Sequence, residues 1–252
     1  MTAGVAALLG EAPGPADGLR LFCFPYAGGN AAGYRELRRA APAGLRVCPV
    51  ELPGRGRRRG EAPCTSMAAL VASLADSLRE LLDRPYALFG HSLGGLVAYE
   101  VAAELRDRGA PLPEHLFLSA VAAPQWSRGR PDRPVPTAEE LKTELAAIGG
   151  TPPELLENEE IMALALPVLR ADHSVLAGYR YRRRPPLPLP VTVFGGESDR
   201  VAPPEVLSGW REHSDRPVPV RLFPGDHFFL DTATADLMRA VEHGLGLLRP
   251  VR

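Results

Sequence analysis

Residues 86–102 read YALFGHSLGGLVAYEVA, and this stretch decides the fold. Tyr86 to Phe89 form a short apolar run of the kind that suits a strand buried on both faces. Gly90-His91-Ser92-Leu93-Gly94 follows at once, spelling G-x-S-x-G. Beyond it Val97, Val101 and Leu105 recur at helical spacing, and Gly109 closes the run. Strand, sharp turn and helix in that order lift a serine onto an elbow at the carboxyl edge of a sheet. The flanking glycines are needed because such a turn crowds the backbone on both sides. The helix start then directs its partial positive charge toward any developing anion. A merely structural tight turn is the competing reading of the same residues.

Working outward, five more apolar runs resemble the one before Ser92: Leu19 to Phe24, Leu45 to Leu52, His115 to Val121, Val191 to Gly196 and Val218 to Phe223. Between them lie helical patterns. Met67, Leu70, Val71, Leu74, Leu78, Leu81 and Leu82 repeat at three and four residues, with Thr65 or Ser66 placed to cap them. Leu237, Met238, Val241, Leu245 and Leu248 mark the last helix. Strands alternating with helices predict an α/β fold with a mostly parallel sheet. One stretch interrupts the alternation. From Ala122 to about residue 188 no strand is evident, only a Pro-rich opening, a helix near Ala138 to Ile148, and a pattern from Glu159 to Tyr181 that Pro167 should bend. An insertion of that length between core strands reads as a helical lid. The first 18 residues read as a disordered leader, and residues 19–252 as a single domain.

Hydrophobic residues make up 45% of the 252 and charged residues 23%, proportions that build a packed core. Gly 25 and Pro 27 call for many turns. The net charge of -1 removes the whole-molecule field that favours nucleic acid or an anionic membrane. No apolar run reaches the roughly 18 residues of a membrane span, and the start of the chain lacks the basic residues of a secretory signal. Cys23, Cys48 and Cys64 form neither a disulfide framework nor a zinc pattern, which fits a reducing cytoplasm and no metal.

A serine hydroxyl attacks only when a base takes its proton. Of six histidines, His227 in PGDHFFL stands just past the final strand, where such a base belongs. His115 lies in a strand, His173 in the lid, and His213 and His243 in surface helix patterns. His91 is next to Ser92, where side chains diverge. The acid that orients the base is best placed at Asp199 in GGESDRVAPPE, with Glu197 and Asp226 as rivals. An oxyanion hole needs two backbone donors. Leu93 N–H, after the nucleophile, is one; Ala27 N–H in FPYAGGN is the other, because Gly28 and Gly29 let the chain turn close to a substrate.

With these segments assembled, the chain resembles the stand-alone type II thioesterases that accompany polyketide synthases and nonribosomal peptide synthetases. FPYAGG, LPGRGRR, GHSLGGLVAYEVA, GGTPPELL, LPVLRADHSVLAGYRY, GGESDRVAP and GDHFFL carry the resemblance from about Leu19 to the last helix. It departs at Leu93, where the family often has Met, and near Leu37 to Ala41, where an aromatic is frequent. The resemblance implies an α/β-hydrolase fold and hydrolysis of acyl or aminoacyl groups from the phosphopantetheine arm of an acyl or peptidyl carrier protein. The arm is part of the substrate, so no cofactor is expected, and a monomer is. A generic serine carboxylesterase or acyltransferase, and a non-catalytic hydrolase-like binding module, are the alternatives. Two basic clusters, Arg55-Arg57-Arg58-Arg59 and Arg180-Arg182-Arg183-Arg184, are candidates to steer an acidic carrier. A solvated charge run, or a structural role for Arg55, is the plainer alternative.

Overall fold

The computed structural model describes residues 3–10, 18–126 and 136–247. In chain order the elements are α1 (Ala3–Leu9), β1 (Leu19–Phe24), α2 (Arg35–Arg39), β2 (Leu45–Pro49), α3 (Met67–Leu78), β3 (Tyr86–His91), α4 (Leu93–Asp107) and β4 (His115–Ser119). The second half adds α5 (Ala138–Ile148), α6 (Pro153–Glu157), α7 (Glu159–Gly178), β5 (Val191–Gly196), α8 (Pro204–Leu207), β6 (Val220–Phe223), α9 (Phe229–Thr232) and α10 (Thr234–Gly244). The six strands form one sheet in the order β2-β1-β3-β4-β5-β6, and every adjacent pair is parallel.

Both faces of the sheet are covered, and for that reason the strands read as continuous apolar runs. Phe22, Phe24 and Leu88 face one core with Leu74, Val97 and Val101 of α3 and α4. Leu21, Cys23, Ala87 and Phe89, the alternate positions, face a second core with Leu37, Leu237 and Val241. Truncating a fully buried leucine such as Leu74 or Leu88 costs about 2–5 kcal/mol, the usual penalty of a core cavity.

The strand order places the site. The chain steps from β1 outward to β2, then returns to lay β3 on the opposite side of β1. Such a reversal opens a crevice beyond the carboxyl ends of the strands. The register brings those ends level: Phe24 beside Gly90, His91 beside Ser119, Ser119 beside Phe194, and Gly196 beside Phe223.

Over the crevice lies the insertion between β4 and β5. Thr137 starts α5 with a capping box, its hydroxyl accepting from Glu140 N–H while the Glu140 carboxylate accepts from Thr137 N–H. Asn158 caps α7 through its side chain and Ile161 N–H at 3.0 Å. Leu141, Leu156, Met162 and Leu169 form a small core of their own. The helix α7 runs through Pro167 as one element. It is long and apolar enough to span a membrane, yet its buried face carries Asp172 and packs Val175 into the main core.

Several expectations need correction. The leader is not wholly disordered: α1 buries Leu8 and Leu9, and Leu8 C=O accepts from Glu51 N–H at 2.8 Å. Residues 1–2 and 11–17 lie outside the described residues, as do 127–135 of the Pro-rich opening and Leu248 of the last helix. The second run stops being strand at Pro49 and the last begins only at Val220. His213 is no surface residue; it is buried, bonded to Tyr99 OH at 2.9 Å and to Gln125 Oε1 at 2.6 Å.

Candidate active site

Ser92 sits between β3 and α4 with φ +54° and ψ -120°, a conformation that is strained for any residue but glycine. What holds it is the chain on either side. Ser92 N–H donates to Ser119 C=O at 2.8 Å, tying the elbow to β4. A Cβ at Gly90 would land on the carbonyl of Gly94, and one at Gly94 on the carbonyl of Phe24 at the end of β1. Both glycines of G-x-S-x-G are therefore demanded by backbone approach. The neighbouring His91 is fully buried, with Nδ1 2.9 Å from Ser119 Oγ. Burial, helped by nearby His227, pushes its pKa down to about 3, so it stays neutral.

His227 follows β6 and is 3% exposed. Its Nδ1 lies 2.9 Å from Asp199 Oδ2. The other oxygen of Asp199 accepts from Val201 N–H at 2.8 Å and Ala202 N–H at 3.0 Å. Burial alone would raise the Asp199 pKa; the bonds from His227 and from the two amides outweigh it and hold the carboxyl below its ordinary value. The rivals lie elsewhere. Glu197 is exposed, and exposed Asp226 turns back to accept from Phe228 N–H at 2.9 Å.

Ala27, Ser92 and His227 line one cavity, roofed by Leu141, Leu145 and Leu169 of the insertion. Leu93 N–H heads α4, and neither it nor Ala27 N–H is engaged in a hydrogen bond among the described residues. Both are thus available to an incoming oxyanion. Glu144 and His173 are further polar groups on the wall of this cavity, a placement that helical periodicity in the lid does not reveal. A neighbouring cavity shares Tyr26, Ala27 and Phe228 with it. That one shares Gly28, Asn30 and Ile161 with an open basin bordered by Arg59 and Leu164. Among the described residues no group of three or more His, Cys, Asp or Glu is arranged to hold a metal.

The arginine cluster divides. Arg55 is buried, with Nη1 and Nη2 2.7 and 2.6 Å from the two oxygens of Asp172 in α7. Arg58 is also buried, its Nε and Nη2 each donating to a carboxylate oxygen of Glu61 at 2.7 Å. Neither can meet a partner surface, which corrects the docking expectation for these two; Arg57 and Arg59 are exposed. The Arg55–Asp172 pair, 117 residues apart in sequence, went unread. Its one signal was an acid in an otherwise apolar helical stripe, with Leu169 three residues before Asp172 and Val175 three after.

Comparison with known proteins agrees with this geometry. The gramicidin S biosynthesis protein GrsT of Aneurinibacillus migulanus is 40% identical over 212 residues, covering 84% of this chain and 83% of that protein. Among solved structures, RedJ, a thioesterase from the prodiginine biosynthetic pathway of Streptomyces coelicolor, superposes with a TM-score of 0.85 at 39% identity, covering 93% of each chain. BorB, the type II thioesterase of the borrelidin biosynthetic cluster, gives 0.82 at 34% identity, covering 93% of this chain and 95% of that one. The expected α/β-hydrolase fold and its likeness to type II thioesterases are both found. The Thioesterase domain model matches residues 19–245, nine-tenths of the chain, and to that family the chain belongs.

Proposed function

We propose that the chain hydrolyses acyl or aminoacyl thioesters borne on the phosphopantetheine arm of an acyl or peptidyl carrier protein, clearing stalled or misprimed groups in polyketide or nonribosomal peptide biosynthesis. The observation that carries this reading is the single cavity shared by Ser92, His227 and Ala27 beneath an apolar roof. Pathway membership is supported by relatives whose names place them in gramicidin S, prodiginine and borrelidin biosynthesis.

In the proposed reaction Asp199 holds His227 with its proton on Nδ1, leaving Nε2 to take the proton from Ser92 Oγ. The freed oxygen attacks the thioester carbonyl, whose oxygen becomes an alkoxide received by the Ala27 and Leu93 amides. Each such donor is worth about 2.7–4 kcal/mol in related hydrolases. Collapse breaks the C–S bond, and His227 returns the proton to the departing thiol of the arm. A water then gives its proton to His227 and attacks the acyl-Ser92 carbonyl; the second collapse restores the serine and releases the acid. No metal or redox cofactor is needed.

The arm, on this reading, enters along the chain of cavities that leads from the basin beside Arg59 to Ser92, and the acyl group rests against Leu141, Leu145 and Leu176. Exposed Arg59 borders that entrance and Arg57, two residues before it, is exposed as well; the two are proposed to attract an acidic carrier. On this reading the chain acts as a monomer in the cytoplasm. The test is a release assay on carrier proteins loaded with acetyl, propionyl, longer acyl and aminoacyl groups, with Ser92→Ala as blank. Turnover of carrier-bound thioesters well above that of simple esters supports the reading; equal rates on both indicate a general esterase.

A further inference from the structure

We propose that Asp172 and Arg55 are positioning residues for the oxyanion hole, through which the lid helix α7 sets the aim of the Ala27 N–H. This rests on Ala27 being an oxyanion donor. Tyr26 C=O accepts from Gly29 N–H at 2.9 Å, closing a four-residue turn with Ala27 and Gly28 at its corners. Gly28 has φ +74°, the value of the third residue in a type II turn. The Ala27 N–H belongs to the Tyr26–Ala27 peptide that opens the turn, so its aim toward Ser92 follows the seat of the turn as a whole, and that seat is fixed through the Gly28 N–H and the Gly29 C=O.

Asp172 holds that seat from α7. Its Oδ2 accepts from Gly28 N–H at 2.8 Å and ties the turn to the lid helix. Arg55 completes the clamp: it neutralises Asp172 through two bonds and donates from Nη1 to Gly29 C=O at 3.1 Å. Asp172 is 1% exposed and Arg55 7%, so neither shares its bonds with bulk water. Leu169, one helical turn before Asp172, fills the space where a Gly28 side chain would stand. Two residues of α7 therefore seat the turn that carries Ala27, while Leu169 also lines the cavity over Ser92.

A pair that only stabilised the protein would be replaceable by apolar residues, since buried ion pairs exchanged for hydrophobic side chains often leave stability unchanged or raised. The double variant R55M/D172L removes the clamp while avoiding an orphaned charge. Wild type and variant are compared in melting temperature, in kcat and KM on an acyl thioester, and in inhibition by an alkyl trifluoromethyl ketone, which forms a tetrahedral oxyanion adduct with the serine. We expect a folded variant whose kcat falls about ten- to hundredfold, the usual cost of a small misplacement. KM should change little, and the inhibition constant for the ketone should rise by a similar factor. An unchanged ketone constant, or a kcat within about twofold of wild type, overturns the proposal. If the double variant does not fold, Asp172→Asn keeps an acceptor for Gly28 N–H without the charge, and the same measurements apply with an expected loss of about three- to tenfold. Failure of wild type to hydrolyse any thioester would sink the proposed function instead, while the ketone comparison would still read the oxyanion hole.

Discussion

Asp199→Asn is the substitution whose consequence the site fixes most closely. Asp199 Oδ1 accepts from two amides, Val201 at 2.8 Å and Ala202 at 3.0 Å, and both must keep an acceptor. The new side chain therefore turns its carbonyl oxygen to those amides and its NH2 to His227, for the opposite orientation sets donors against donors. That NH2 now donates to His227 Nδ1, which drives the imidazole proton onto Nε2, the atom that must receive the serine proton. The base is present and in place but in the wrong tautomer. In the serine-protease triad the same exchange lowers kcat by about 10⁴, or roughly 5.5 kcal/mol of transition-state stabilisation. A fall of that order is expected here, with KM nearly unchanged. Because the amide bonds survive, the melting temperature should stay within a few degrees of wild type. Steady-state release of a carrier-bound acyl group, read alongside a thermal melt, is the assay. A kcat within about tenfold of wild type refutes the tautomer reasoning, and a comparable loss in Glu197→Gln or Asp226→Asn moves the acid elsewhere.

Other consequences are as direct. Reversing charge at Arg57 and Arg59 should lower kcat/KM for carrier-bound substrate at low salt and leave it unchanged for a small pantetheine thioester; an equal effect on both contradicts a docking role. Glu144 on the cavity wall should disfavour acyl groups that carry a carboxylate, so Glu144→Gln should raise kcat/KM for malonyl relative to acetyl thioesters; an unchanged ratio places its charge too far away. Acid should unfold the protein early. Burial holds His91 at about 3 and His115 and His213 at about 4, below the ordinary 6.5, so between those values the unfolded chain binds more protons and stability drops as pH falls. Asp199, held low, acts in the same direction, its contribution being lost only as pH falls through its folded pKa. Each fully unprotonated buried histidine adds about 1.4 kcal/mol per pH unit to the slope. Urea unfolding between pH 7 and 5 should show this, with a shallower slope in His115→Gln; flat stability across that range rejects it.

The six strands were readable because a parallel sheet covered on both faces leaves unbroken apolar runs, and the Ser92 elbow because its crowding admits only glycine at 90 and 94. Position in the sequence singles out Asp199 and His227, each just past a strand whose end borders the crevice, and the fold brings the two within 2.9 Å of each other. The edges of the fold were less legible. The run from Val218 begins two residues before β6, since Leu222 and its neighbours on this edge strand are exposed and alternate weakly. Helix α2 and the turn before it, capped by Asn30, are too short for periodicity to register. The clamp between Arg55 and Asp172 was out of reach because pairing across 117 residues is a property of the folded topology; in the sequence Arg55 belongs to an apparent surface cluster.

The central claim is that Ser92 carries the acyl group during turnover. It is tested most directly by intact-protein and peptide mass spectrometry after rapid quenching with an acyl-loaded carrier protein. The mass of the released carboxylic acid, less water, should appear on the peptide containing Ser92 during turnover and be absent in Ser92→Ala. Thioester hydrolysis that persists in Ser92→Ala, or an acyl group found on another residue, would contradict it.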